Sequence, residues 1–107
     1  MKLQLTKVKE ALLTVTNNVY HQCANGASGN YIVWQEDSAG ETMFGNGNME
    51  ERAIEGTIDF FTKNEFDKKI EAIEKALTQG SVFFKLNAIQ FEEDTGYTHY
   101  EWIFEVM

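Results

Sequence analysis

Apolar and polar residues alternate along residues 51–62, where Ile54, Ile58 and Phe60 share one parity. This period of two predicts a half-buried β-strand. Residues 31–37, 81–93 and 97–106 are rich in β-branched and aromatic residues and predict three more strands. Gly96 supplies the positive φ of a tight turn between the last two of them, so these two strands are expected to form an antiparallel hairpin.

Two other stretches follow the helical period. Residues 64–80 have Asn64 at the N-cap position, Gly80 at the end, and a single apolar stripe formed by Phe66, Ile70, Ile73 and Leu77. Residues 6–26 begin with Thr6 as N-cap and place on one helical face Val8, Leu12, Val15 and Val19. The β-branched content of this first stretch makes it a weak helix on propensity, so its stability has to come from docking.

The order of these elements is α-β-β-α-β-β. It predicts an α+β fold, with a four-stranded, mainly antiparallel sheet carrying both helices on one face. The length of 107 residues is that of a single domain, expected to span 1–107. The face toward the helices is predicted to hold Ile54, Ile58, Phe60, Val82, Phe84, Leu86, Ala88, Tyr100, Trp102, Phe104 and Val106.

The connection between the first two predicted strands is long. Residues 37–50 are glycine-rich, lack a sustained period and are expected to form a mobile loop. Loops of this length are uncommon in compact domains unless they are functional. The loop also carries apolar side chains that a solvated segment does not need, and these predict a contact with a partner: Met43, Phe44 and Met49.

Parity places His99 on the face of the sheet away from the helices. That face is predicted to be unusually apolar for an open antiparallel sheet, which makes it a candidate interface. Its predicted contact residues are Phe83, Ile89, Phe91, Tyr97, His99 and Ile103. Two alternatives remain open, namely a β-bulge that shifts the parity and a loop that folds over the face.

The net charge of −8 argues against nucleic acid and anionic membranes as partners, since the chain has no cluster of Lys and Arg. Residues 1–30 carry three lysines against one glutamate, and residues 31–56 carry one arginine against six acidic residues. Unlike ends suit head-to-tail self-association. No apolar run reaches membrane-spanning or signal-peptide length, so a soluble intracellular protein is expected. Cys23 is the only cysteine and is expected to be buried.

Candidate chemistry is sparse. His99 and Glu101 share a strand face and could act as a general base, although local sequence places no nucleophile beside them. His21 and Cys23 form one chelating pair where a structural zinc site needs two, and Glu92–Asp94 lack the spacing of a calcium loop. We therefore expect no metal and no cofactor. The alternative is a small-ligand-binding or enzymatic α+β domain with its site near His99 and Glu101.

Residues 57–77 (TIDFFTKNEFDKKIEAIEKAL) and 83–106 (FFKLNAIQFEEDTGYTHYEWIFEV) resemble tail terminator or tail completion (minor tail) proteins of tailed phages and prophages of Gram-positive bacteria. The resemblance lies within residues 54–106 and rests on the segments D-x-F-T-K, L-N-x-x-Q-F-E-x-D-T-G and H-Y-E-W. The resemblance implies a non-catalytic, commonly hexameric ring that caps the tail tube in the virion and is assembled in the host cytoplasm. Its implied partners are other copies, the tail tube and head-completion proteins.

Overall fold

The computed structural model describes residues 3–40 and 53–107. Its elements, in chain order, are α1 (Leu3–Leu13), β1 (Val19–His21), β2 (Tyr31–Gly40), β3 (Ala53–Thr62), α2 (Lys69–Gln79), β4 (Phe83–Glu92) and β5 (Tyr97–Val106). The strands form one sheet in the order β1-β2-β3-β5-β4. β1 pairs parallel to β2, and the other neighbours pair antiparallel.

The prediction of a four-stranded, mainly antiparallel sheet is wrong, because the sheet is mixed and has five strands. The predicted first helix ends at Leu13, and Val19–His21 form a strand instead. Val19 continues the helical spacing, yet it lies in β-branched sequence, and pairing with β2 satisfies its backbone. The Asn18 side-chain amide holds the segment between β1 and β2 in place by donating to the carbonyl oxygens of Ser28 (2.9 Å) and Asn30 (2.8 Å).

Helix α2 begins five residues later than its predicted cap. Asp67 organises the turn before it: one carboxylate oxygen accepts the Thr62 hydroxyl at 2.6 Å, and the other accepts the Lys69 amide at 2.9 Å. Phe66, predicted in the buried stripe of the helix, lies in this turn with a φ of +53°. Its side chain is 88% exposed.

The core lies between the sheet and both helices, which pack on the same face. Trp34, Phe60, Trp102 and Phe104 are its largest fully buried side chains. The Trp102 indole donates to Glu74 of α2 at 2.8 Å, so the helix layer also satisfies the polar atom of this ring. Burial of each large apolar side chain contributes about 1.5–3 kcal/mol. No helix in the described part of the chain is long and apolar enough to cross a membrane.

Two expectations about the first half of the chain change. β2 continues to Gly40, so residues 37–40 are strand, and the rest of the predicted loop lies outside the described residues. Cys23, expected to be buried, is exposed. It follows β1 near the edge of the sheet, where no helix covers it.

Gly56 marks a close approach of two strands. A Cβ on this residue would run into the carbonyl oxygen of Gln35 and lie 2.7 Å from the Phe104 ring. The backbone oxygen belongs to the adjacent strand and cannot move without disturbing the ladder. Glycine is therefore required here by space.

We expect Gly56→Ala to lower the free energy of unfolding by about 3 kcal/mol or more, at or beyond the upper end of usual overpacking costs. Gly26→Ala is the matched control, because Gly26 has a φ of +78° and open space around its Cβ position. Left-handed strain alone should cost about 1–2 kcal/mol there. Denaturant titration measures both, and an equal loss for the two variants would contradict the steric account.

Phe66 is expected to be a strained position that loses little when its ring is removed. Asn tolerates the left-handed region, so Phe66→Asn should raise the free energy of unfolding by about 0.5–1 kcal/mol. Phe66→Val should lower it, since a β-branched residue fits positive φ poorly. Thermal and denaturant unfolding give both values, and a shift of the two variants in the same direction would refute the assignment.

Candidate interaction surface

The sheet face away from the helices, here the outer face, carries a row of stacked rings. The register places Tyr31 opposite Phe61 and Phe61 opposite His99, and opposed residues in antiparallel strands share a face. The rings of Tyr31 and Phe61 stack at 4.8 Å between centroids, and those of Phe61 and His99 at 4.3 Å. We call these three residues the aromatic row. It joins β2, β3 and β5 through side chains.

Tyr97 lies beside the aromatic row. Its ring meets Phe61 and Tyr31 edge-on, at 6.1 and 5.7 Å between centroids. Its hydroxyl donates to the carbonyl oxygen of Gly29 at 2.6 Å, and the Lys63 ammonium lies 4.8 Å from the ring centroid. The faces of the stacked rings are thus occupied by neighbouring rings of the same row. The row stabilises the sheet and is poorly suited to stack on sugars or nucleobases.

His99 has a different partner from the one predicted. Its Nε2 lies 2.6 Å from Oδ1 of Asp59, and its Nδ1 lies 3.8 Å from Oε2 of Glu92. Glu101, the expected partner, accepts a hydrogen bond from the Asn87 amide at 2.8 Å. Both ring nitrogens of His99 therefore face carboxylates of neighbouring strands. This arrangement suits a side chain that links neighbouring strands better than a general base, whose second nitrogen has to reach the substrate.

A second His–carboxylate pair lies on the opposite face of the sheet. His21 of β1 stacks on Trp34 at 4.1 Å, and its Nε2 lies 2.7 Å from Oε1 of Glu36. This hydrogen bond lowers the pKa of Glu36. The pKa of Asp59 moves the other way: burial raises it, the hydrogen bond from His99 opposes that rise, and nearby Glu101 adds to it. The surroundings of Glu36 thus favour its ionised form, whereas those of Asp59 favour its protonated form.

Tyr31 carries the same signature of burial. Desolvation raises the pKa of its hydroxyl, with further contributions from Tyr97 and Glu92. The phenol therefore stays neutral under ordinary conditions. Nothing in this environment activates it as a base or a nucleophile.

Two of the grooves that described residues line include neither His99 nor Glu101. The larger, of about 540 Å³, lies at the start of β4 between Lys7, Val82, Phe84 and Met107. The smaller lies between the two helices, at Ala11 and Gly80 among others. Within residues 3–40 and 53–107, no cluster of three or more His, Cys, Asp or Glu side chains could hold a metal ion.

The predicted contact residues divide between the two faces. The β4 register shifts between Leu86 and Ala88, so a bulge at Asn87 reverses the parity of everything after it. Phe83, Tyr97, His99 and Ile103 lie on the outer face, as their pairing shows. The prediction that Ile89 and Phe91 share that face is wrong, since they lie opposite Tyr100 and Thr98 on the helix side. Met43, Phe44 and Met49 lie outside the described residues.

The same bulge corrects the predicted helix-side face. Ala88 moves to the outer face opposite Glu101, while Leu86 stays on the helix side but is 40% exposed. The helices therefore cover β4 at Phe84, which packs against the core, but leave its later helix-side residues exposed. Its exposed apolar residues include Phe83, Leu86, Ile89 and Phe91.

Sequence reasoning missed the position of β4 at the edge of the sheet, because the order of strands cannot be read from alternation. It also missed the aromatic row, since Tyr31 and Phe61 were not assigned to the face of His99. Their parity relative to β5 depends on a pairing register that is set across 38 residues, between Phe61 and His99. The alternation of residues 51–62 shows that Phe61 and Phe60 lie on opposite faces, but it does not show which residues of β5 share the face of Phe61.

Comparison with solved structures identifies a shared fold. One chain of the virion of a native gene transfer agent particle superposes with a TM-score of 0.57 at 15% sequence identity, covering 97% of this chain and 92% of that one. A chain from a study of H-NOX activation covers 97% of this chain and 45% of its own length, at 12% identity and a TM-score of 0.46, which is too low to carry an argument. No known family profile and no curated protein matches the sequence.

Opposite pH dependences are expected for the two His–carboxylate pairs. Asp59 has a folded pKa above its ordinary 3.8, so its contribution to stability is fully present below that value and is lost as the pH rises through the folded pKa. Glu36 has a folded pKa below 4.5, so its contribution is present above that value and is lost as the pH falls.

Urea unfolding from about pH 3 to about pH 7 tests this with Asp59→Asn and Glu36→Gln. Relative to Asp59→Asn, the wild type should lose stability as the pH rises. Relative to Glu36→Gln, it should gain stability over the same range. Differences that run in the same direction for both variants would contradict the assigned environments.

Proposed function

We propose that this chain is a structural component of a phage or phage-like particle and has no catalytic role. The observation that carries the proposal is the fold shared with a gene transfer agent virion chain over 97% of one chain and 92% of the other. The likeness therefore extends over nearly the full length of both chains. The sequence resemblance of residues 54–106 to phage tail proteins points independently to the same class.

The described site supports a role based on surfaces. His99, the best candidate for catalysis, has both ring nitrogens turned toward carboxylates of its own sheet. Neither of the two grooves described above is lined by it. What the chain does offer is an outer face that neither helix covers and an apolar strand at the edge of the sheet.

Within that class, we propose a tail terminator or tail completion protein. It would act as a homo-oligomeric, hexameric ring on the end of the tail tube and contact head-completion proteins. The outer face offers Tyr97 and Ile103 for these contacts. The chain would then be assembled in the bacterial cytoplasm and remain in the virion tail.

We expect the protein to copurify with particles from the organism that encodes it. Particles banded on a density gradient should contain the chain in a fixed ratio to tail proteins, as measured by quantitative mass spectrometry. Removing the gene should leave heads and tails unjoined by electron microscopy, and the wild-type gene should restore joined particles.

His99→Gln is the variant that separates assembly from catalysis. It keeps a polar side chain in the row, so it should restore joined particles as the wild type does. Loss of joining by this variant, despite a normal amount of folded protein, would favour the ligand-binding or enzymatic alternative. Absence of the chain from purified particles would overturn the proposal as a whole.

A further inference from the structure

β4 is a long, apolar strand at the edge of the sheet. It has ten residues and, among the strands of residues 3–40 and 53–107, it is paired only with β5. Leu86, Ile89 and Phe91 are 40%, 56% and 64% exposed. Natural edge strands are usually protected by short length, charges, proline or bulges, because unpaired backbone groups recruit further strands. β4 has a single bulge, no proline and only Lys85 and Glu92 as charges.

The three exposed apolar side chains lie on one face. Leu86 is opposite Trp102, Ile89 is opposite Tyr100 and Phe91 is opposite Thr98. Since Trp102 is buried under the helices, all three project on the helix side, beyond the area that the helices cover. Lys85, Ala88, Gln90 and Glu92 alternate with them on the outer face.

The strand is self-complementary about Ile89 when the bulged Asn87 is left out of the pairing. On either side of Ile89, the positions match as Ala88 with Gln90, Leu86 with Phe91, and Lys85 with Glu92. The two members of each pair lie on the same face of the sheet. This is the condition for antiparallel strands to oppose each other in register.

We propose that two copies of this chain pair β4 with β4, antiparallel, about a twofold axis through Ile89. Leu86 of each copy then meets Phe91 of the other, and Ile89 meets its own equivalent, forming one apolar stripe across the axis. Lys85 of each copy meets Glu92 of the other, so unlike charges close both ends. The two sheets become one continuous sheet.

The charges and the faces together select this register. A shift by one position would bring residues of opposite faces together, and a shift by two would separate Lys85 from Glu92. In a chain with a net charge of −8, two Lys–Glu pairs at the contact also offset repulsion between copies. The pairing does not use the outer face and does not rest on the proposed function.

A disulfide test addresses the axis directly. Only a twofold axis through Ile89 brings this residue opposite itself, with Cα atoms about 4.5–5.5 Å apart, which is within disulfide reach. In a Cys23→Ser background, Ile89→Cys should form a covalent dimer on mild oxidation. Phe66→Cys is the control: it is more exposed, at 88% against 56%, so random collision would link it more readily.

Sedimentation equilibrium measures the strength of the contact. Ile89→Lys should raise the dimer Kd at least about tenfold, because it sets like charges against each other at the axis. Phe66→Lys makes the same change off the edge and should leave the Kd unaltered. Lys85→Glu and Glu92→Lys should each weaken the dimer about two- to fivefold, and the double exchange should restore it.

Two results would overturn the proposal. The first is a monomeric wild type at every concentration tested. The second is an oligomer that Ile89→Lys leaves intact and that Ile89→Cys does not cross-link, which would mean that copies associate elsewhere. Neither result bears on whether the chain is found in particles, so the proposed function is tested separately.

Discussion

Both helices lie on one side of the sheet, and most of the architecture follows from that constraint. Trp34, Phe60, Trp102 and Phe104 are buried against the helix layer, which accounts for the main hydrophobic stabilisation. The other side has no covering layer among the described elements. It is held instead by contacts between side chains of neighbouring strands, with the aromatic row as their centre. The stability of that side therefore depends on contacts between side chains of neighbouring strands rather than on burial in a core.

The two histidines show how such pairs operate in different surroundings. Each stacks on a ring and faces a carboxylate, His21 with Trp34 and Glu36, and His99 with Phe61 and Asp59. Glu36 is partly exposed, and its hydrogen bond with His21 outweighs desolvation and favours the ionised form. Asp59 is more deeply buried beside other acidic groups, and desolvation prevails over the same kind of bond. Similar chemistry thus has opposite electrostatic consequences at two depths of one sheet.

Alternation predicted β3, enrichment in β-branched and aromatic residues predicted β2, β4 and β5, and helical spacing predicted most of α2. They failed at β1, where Val19 satisfies a helical spacing and yet pairs with Ile32. They also failed after Asn87, since one bulged residue reverses the faces of Ile89 and Phe91. Both failures have a common cause: pairing between strands, which no local pattern records, decides the outcome. The predicted contact set was divided between two faces for that reason.

The place of β5 in the sheet has a consequence for synthesis. β5 follows the other four strands in the chain but lies between β3 and β4, so these two strands are not joined in one sheet until it is made. During translation, the hairpin of β2 and β3 can form early, while β4 emerges with no neighbour at all. The Asp59–His99 contact closes across forty residues, and such distant contacts slow folding. A nascent chain paused before β5 would present the ribosome-associated chaperones with an unpaired β4 and the open edge of β3 at once.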